Sequence, residues 1–302
     1  RKDKQDNAKS PDRKVLPATP LRADKLNAID ADVTLNAKRI LRPKALAIDD
    51  LSARLTLDEG QLKLTPLRFG YAGGDITSNI ALNARQHPYR VALDTRFSKL
   101  RLNELFPTVD WSKNSVGLLG GRLDLTSHGD TVGAMLGGAN GKLELVTSGG
   151  ELSSLLLEAI GLDGAEIIKY LVGRDQRSRL RCGVAVFDVR EGRATSEQLV
   201  LDTDDTRIDG HGTIDFANET LSLTFDPKPK DVSIAVLRAP LYLAGSFGAP
   251  RFSVDKTTLL ARGAAAVGLG LITPLAALIP LIETGPGEDA NCQALLAQAR
   301  KK

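Results

Sequence analysis

The sequence lacks the short motifs that mark the common enzyme sites. It contains no GxSxG nucleophile turn, no GxxxxGK[ST] phosphate loop and no HExxH zinc helix. Its three histidines, His87, His128 and His211, are isolated in turns flanked by Pro or Gly, without paired carboxylates or metal spacing around them. The acidic run Asp202–Asp205 lacks the Gly and the distal Glu of a calcium loop, so we interpret it as a hairpin turn. The chain is predicted to have no catalytic residue, no metal site and no cofactor.

An excess of charge of one sign is also missing. The 40 basic and 37 acidic residues leave a formal net charge of +3, and no block of Lys and Arg is present that would follow a phosphate backbone. Nucleic acid is therefore not a predicted partner. With 42% hydrophobic residues in 302 positions, the chain has enough material for one large all-β unit or two smaller domains.

Cysteine is nearly absent, since Cys182 and Cys292 are the only two. They lie far apart, with no CxxC pair and no nearby His, which argues against a zinc site.

What the chain does have is alternation. From Arg181 to Pro227 the apolar residues of each run fall at every second position, the period of a β-strand with one dry and one wet face. Short polar groups at Glu191-Gly192, Thr203–Asp205 and Asn218-Glu219 separate the runs, as in antiparallel hairpins. This pattern predicts four strands in a meander. Further strands are predicted within residues 33–40, 45–69, 75–85, 89–97, 121–126 and 141–147.

An internal repeat links the two halves of the chain. Glu59-Gly60 matches Glu191-Gly192, and Leu67 and Phe69 match Leu199 and Leu201 at the same offset. Each copy is predicted to be a strand, a turn ending in Gly, a strand, a turn and a strand. A repeated hairpin unit cannot cover its own apolar face, so the repeat predicts a sheet that grows along one axis by adding strands at its edge.

Helical periods appear in a few segments. A short helix and a loop are predicted from Leu100 to Pro107, and residues 151–173 predict a helical hairpin with an apolar face. Residues 263–282 are twenty positions without charge, the length of a membrane span, but eight are Gly or Ala and two are Pro. Three interpretations stay open for this segment: a helix packed in or across a groove mouth, a helix on a membrane surface, or a true span. We expect that it is not a stable span.

The second half of the chain resembles the AsmA family. The resemblance rests on a Cys-containing strand followed by DVREG, LVLDTDDTRIDGHGTIDF, LSLTFDPKPKD and PLYLAGSFGAPRFSVD. It runs from about Leu100 to Gln298 and is strongest from Arg181 to Asp255. Members of that family are envelope proteins of Gram-negative bacteria. One N-terminal helix holds them in the inner membrane, and their long periplasmic β-structure is implicated in lipid transport and outer-membrane integrity.

The resemblance implies a location and partners for this protein. It implies a periplasmic protein anchored in the inner membrane through a segment upstream of Arg1, which is not a start residue. The implied partners are phospholipids or other acyl-chain lipids, with possible envelope proteins besides. In such an oxidising compartment a disulfide between Cys182 and Cys292 is expected, and the alternative is a pair of buried free thiols.

The predicted fold is mainly β: a long twisted antiparallel sheet curled into a groove, with an inserted helical hairpin and a C-terminal apolar helix. The predicted function is a non-enzymatic lipid-binding or lipid-transport groove. The alternative is a structural or scaffold module for outer-membrane assembly, whose apolar faces would pack on each other. Eight residues are predicted to line the groove: Leu199, Leu201, Ile208, Ile214, Phe216, Leu221, Leu223 and Phe225.

The chain is predicted to divide into five segments. These are a charged linker at 1–20, a first β-repeat at 21–100, a β-hairpin with the helical hairpin at 101–180, a second β-repeat at 181–255, and a helical tail at 256–302.

Overall fold

A computed structural model describes eight parts of the chain: residues 14–42, 45–105, 117–149, 151–152, 178–204, 206–230, 240–254 and 288–295. The predicted helical hairpin beyond Leu152, the predicted apolar helix at 263–282 and residues 1–13 of the predicted linker lie outside these ranges. Glu151–Leu152, which the sequence analysis placed at the start of the helical hairpin, form instead a two-residue strand, because Arg179 and Ser178 supply backbone partners.

The described residues form one antiparallel sheet, so the predicted fold class is confirmed. Thirteen strands follow each other in sequence order across the sheet, and the two-residue strand β8 pairs with β9. The first and last strands of this order, β1 and β14, are the two edges. The strands are β1 Ala31–Arg42, β2 Ala45–Asp58, β3 Gln61–Tyr71, β4 Gly74–Asn83, β5 Arg90–Arg101, β6 Leu118–His128, β7 Asn140–Ser148, β8 Glu151–Leu152, β9 Ser178–Arg190, β10 Arg193–Thr203, β11 Thr206–Asp215, β12 Thr220–Pro229, β13 Leu241–Ser246 and β14 Ala249–Val254.

Helices are short in the described part of the chain. A 3-10 helix covers Ala23–Ala28, α1 covers Leu102–Leu105 and α2 covers Val132–Gly137. The sequence predicted α1, but it missed α2 and the 3-10 helix, each of which is six residues long. No described helix is long and apolar enough to cross a membrane.

Two-residue turns set the register of the hairpins. Both residues have positive φ in Glu59-Gly60 and in Glu191-Gly192, the two turns matched by the internal repeat. Such turns suit the twist of the flanking strands, and they fix which side chains share a face. A third turn of this kind, Ala72-Gly73, joins β3 to β4.

The sheet has two distinct ends. One end contains the connections 58–61, 83–90, 128–140, 190–193, 215–220 and 246–249, and we name it the capped end. The opposite end, named the far end, contains the connections 71–74, 101–118, 203–206 and 229–241.

Substitutions in the two matched turns test whether α2 packs against the β9–β10 turn. A β-carbon at Gly192 would collide with the backbone carbonyl of Gly137, whereas one at Gly60 would meet the side chain of Asn27, which can rotate away. We expect Gly60→Ala to cost about 1 kcal/mol of unfolding free energy through its positive φ. Gly192→Ala should cost about 3 kcal/mol, because the backbone collision adds to the same conformational penalty. Equal losses in urea unfolding would show that α2 does not press on this turn.

Candidate apolar groove

The eight predicted lining residues lie on one face of the sheet. Leu201 is directly opposite Ile208, and Ile214 is directly opposite Leu221. Residues opposite each other in an antiparallel pair point to the same face. Strand alternation adds the others to this face, which we name the groove face: Leu199, Phe216, Leu223 and Phe225.

The groove face continues across the rest of the sheet. Following cross-strand partners from the β1 edge gives Val33, Leu55, Leu64, Ile80, Leu93 and Leu125 in one unbroken row. At the other edge Leu223, Leu243 and Phe252 form a similar row. The apolar surface therefore spans the sheet from β1 to β14.

The opposite face, named the outer face, is polar over much of the sheet. Arg54 lies 2.8 Å from Asp32 across β1 and β2, and Arg122 lies 3.2 Å from Asp94 across β5 and β6. The hydrogen bond from Arg54 lowers the pKa of Asp32 and so favours its ionised form. These exposed pairs keep the outer face wet and contribute little to stability.

The side chains of the groove face are buried in one part of the sheet and exposed in another. Ala139, Phe187, Val189, Ala194 and Leu223 form a buried cluster, and the predicted lining residues Ile214, Phe216 and Phe225 pack against it. At the β1 edge, by contrast, the side chains of Val33 and Leu35 are 48% and 51% exposed. The groove face is therefore a filled core near β9 to β12 and an open surface toward β1.

Two polar side chains on the groove face of β4 and β5 pair with each other. Ser78 is buried between β3 and β5, and its hydroxyl is 2.7 Å from the hydroxyl of Thr95 on the neighbouring strand. Close packing also depends on one glycine. A β-carbon at Gly210 would lie 2.6 Å from Cδ2 of Leu199 and 3.1 Å from Cδ1 of Phe225, so only Gly lets both side chains meet over β11.

Residues 14–28 run across the capped end, and we name them the end strap. The backbone N–H groups of Val15 and Leu16 donate to the buried Glu219 carboxylate at 2.5 and 3.2 Å. Further along, Gly133 in α2 donates to the carbonyl of Pro17 at 2.9 Å. The strap ends beside β4, where the Asn27 side chain donates to the carbonyl of Ala84 at 3.1 Å.

A charge cluster around the buried Asp202 lies at the far end, on the outer face. Asp202 is completely buried, and its carboxylate is 3.1 Å from Nε of Arg181 and 2.8 Å from Nζ of Lys230. Asp289 lies 2.6 Å from each of the same two cations. The hydrogen bond from Lys230 lowers the pKa of Asp289, with Arg181 adding to the effect, so the two cations favour the ionised form of Asp289.

The charge cluster holds residues 288–295 against the sheet, together with a disulfide. Cys182 in β9 is bonded to Cys292, with a Cα–Cα distance of 6.0 Å. Leu295 packs against a small cluster of Val146, Val184 and Val186 on the outer face. The backbone N–H of Ala290 donates to Asp202 at 3.3 Å. This C-terminal segment therefore lies behind the groove.

Sequence reasoning missed both the end strap and the charge cluster. It read Asp202 as part of a hairpin turn, but β10 continues to Thr203, so Asp202 is the penultimate residue of that strand. One signal was present: Asp202 is opposite Cys182, so it shares the face of a residue type that is usually buried.

Two of the three histidines each lie near a single carboxylate. Nδ1 of His87 is 2.7 Å from Asp130, but both side chains are largely exposed. His211 lies 3.8 Å from Asp226 on the outer face, again exposed. The described residues contain no group of three or more His, Cys, Asp or Glu that could hold a metal ion.

Comparisons with known proteins agree with the resemblance read from the sequence. The family model described as "AsmA family" matches residues 1–199. This match lies mostly ahead of the region from Arg181 to Asp255 on which the sequence analysis relied most. The chain is also 38% identical over 292 residues to the AsmA family protein YhjG of Escherichia coli strain K12, covering 96% of this chain and 43% of that protein. The chain thus spans less than half the length of this relative, and no solved structure matches it.

Proposed function

This chain belongs to the AsmA family, and on that premise we propose that its groove face binds the acyl chains of lipids. The observation that carries the proposal is the unbroken apolar surface from β1 to β14, which is open to solvent at the β1 edge. An acyl chain needs a continuous apolar lining and no directed chemistry, and this face offers both. The protein is proposed to act without catalysis, in phospholipid traffic between the inner and outer membranes.

The proposed location follows from the same premise. A periplasmic groove held at the inner membrane would suit the disulfide between Cys182 and Cys292, since disulfides persist in oxidising compartments. Phospholipids are the proposed ligands, and proteins of the envelope are the proposed further partners.

One observation favours the alternative of a structural module. Around Phe187 and Leu223 the groove face packs on itself as a closed core does. A lipid groove is therefore proposed for the open part of the face, and its test must use residues outside this cluster. Ile80 meets that condition, because it is half-buried between Leu64 and Leu93 and belongs to none of the buried clusters.

Replacing Ile80 by Arg is expected to weaken lipid binding at least tenfold while the fold survives. A guanidinium in the path of an acyl chain costs about 2.5–3.5 kcal/mol on the insertion scale, and an open groove lets it reach water when no lipid is bound. The measurement is phospholipid recovered from vesicles of phosphatidylethanolamine and phosphatidylglycerol by the purified protein, with a thermal melt of each variant.

The matched control is Asn79→Arg, one residue away on the exposed outer face. It should leave both lipid binding and the melting temperature unchanged. If Ile80→Arg instead unfolds the protein, the face is a closed core and the structural module is favoured, because an unpaired buried charge is very costly. If it folds and binds lipid like the control, the groove face is not the lipid site.

A further inference from the structure

From the way the end strap and α2 lie across the sheet, we infer that the groove is blind at the capped end. Acyl chains then do not enter or leave at the capped end, and their methyl ends lie toward α2. The inference rests on the proposed lipid groove, and it adds a direction and a stop that an open trough would not have.

The first support is the position of α2. The hydroxyl of Ser127, on the groove face of β6, donates to the carbonyl of Met135 in α2. At its other end α2 meets the turn of the β11–β12 hairpin, where a β-carbon at Gly137 would lie 3.2 Å from Cα of Ala217. Between these contacts the carbonyl of Gly137 lies against Gly192 in the β9–β10 turn. One short helix therefore touches β6 and two later hairpins, which places it across the end of the curled sheet.

The second support is the end strap, which crosses the same end of the sheet beside α2. Its first residues are held by Glu219 in the β11–β12 turn, and Leu21 donates to the carbonyl of Asp130, just ahead of α2, at 2.8 Å. Near its C-terminal end Asn27 lies against Gly60 of the β2–β3 turn, and just beyond the strap the Asp30 carboxylate accepts from the N–H of Glu59 at 2.8 Å. The strap thus spans from one side of the sheet to the other.

The third support is apolar packing of the strap and α2 over the part of the capped end beside β4 and β5. Leu21, Ala23 and Leu26 of the strap pack with Met135 of α2 onto Ala84, Tyr89 and Leu82. Leu82 lies on the groove face, opposite Leu62 and Val91. The apolar side chains of the end strap and α2 therefore pack directly against the groove lining at Leu82. A methyl end can rest against such a surface, whereas a charged headgroup would lose its hydration there without any partner.

The test locates the two ends of a bound lipid. Two phosphatidylglycerol probes are used, one with a diazirine at the last carbon of an acyl chain and one with a diazirine on the headgroup. Each is incorporated into vesicles of phosphatidylethanolamine and phosphatidylglycerol, bound by the protein and irradiated, and the adducts are located by tandem mass spectrometry. We expect the chain-end probe to label Met135 and its neighbours at least tenfold more than the headgroup probe does.

A locked variant adds a second measurement. A β-carbon at Gly133 would lie 3.4 Å from Cβ of Leu16, close to the spacing of a disulfide, so Leu16→Cys with Gly133→Cys should tie the strap to α2. The oxidised lock should exchange lipid with vesicles within twofold of the rate of either single variant, because lipid does not pass this end.

Four results would overturn the inference while leaving a lipid groove in place. Three concern labelling: equal labelling of α2 by both probes, labelling of α2 by the headgroup probe alone, and labelling of the groove face with none on α2. The fourth is a lock that slows exchange tenfold or more. Absence of labelling anywhere on the groove face would instead overturn the proposed function, and the blind end with it.

Discussion

Replacing Lys230 by methionine is expected to lower the free energy of unfolding by about 3 kcal/mol. The Lys230 side chain is only 10% exposed, and its ammonium lies 2.8 Å from Asp202 and 2.6 Å from Asp289. It also donates to the carbonyl of Thr203 at 2.5 Å. Without it, the completely buried Asp202 carboxylate keeps only Arg181 as a cationic partner and must share that partner with Asp289.

The size of this loss follows from which charges are left behind. Removing one partner of a buried pair typically costs about 3–5 kcal/mol, because the other charge stays buried without compensation. We expect the lower end of that range, since Arg181 remains and is partly exposed. Urea unfolding of the oxidised protein measures it.

The chain supplies a matched control two positions earlier. Lys228 lies 2.6 Å from Asp209, but its side chain is 50% exposed. Lys228→Met should therefore cost less than about 1 kcal/mol, as for other exposed pairs. A loss of similar size in both variants would mean that the cluster around Asp202 is no more buried than the surface pairs.

The sheet was predictable because its signal is local. Alternation places Leu221, Leu223 and Phe225 on one face whatever the rest of the chain does, and the Glu-Gly turns fix the register of their hairpins. The same alternation, however, is compatible with an open groove and with a closed core. That difference depends on how far the sheet curls, which is set by packing between strands such as that of Phe187 in β9 and Leu223 in β12.

The end strap and the charge cluster were not predictable, because their contacts join residues that are far apart in the sequence. The end strap is held largely by its backbone groups, whose partners, Glu219 among them, lie far along the chain. Asp202 shares its two cations with Asp289 and accepts from the N–H of Ala290, and both of these residues belong to the C-terminal segment. The spacing of apolar residues along the sequence carries no information about such contacts. A buried ion pair and a solvated turn therefore look alike in sequence.

Replacing both cysteines by alanine is expected to lower the free energy of unfolding by about 2–5 kcal/mol. The bond joins positions separated by 110 residues, and closing a loop of that size restricts the unfolded chain by about 4.7 kcal/mol in the entropy model. Alanine suits position 182 because Cys182 is buried beside Val184, where a serine hydroxyl would need a partner. Unfolding of the double variant against the oxidised protein measures the loss.

Residues 288–295 should detach from the sheet more readily than the rest of the protein unfolds, because the disulfide links them covalently to β9. The amide of Ala290 reports this directly, because it donates to Asp202 and is freed only when the segment lifts off. Its hydrogen exchange should accelerate at least about 30-fold in the double variant, the factor that corresponds to about 2 kcal/mol. The amide of His211, inside the β11–β12 ladder, should exchange as before under native conditions.

If hydrogen exchange accelerates by a similar factor at the amides of Ala290 and His211, the disulfide stabilises the whole sheet as one unit. If neither changes, the charge cluster alone holds the segment, and the same exchange measurement on Lys230→Met should then release it.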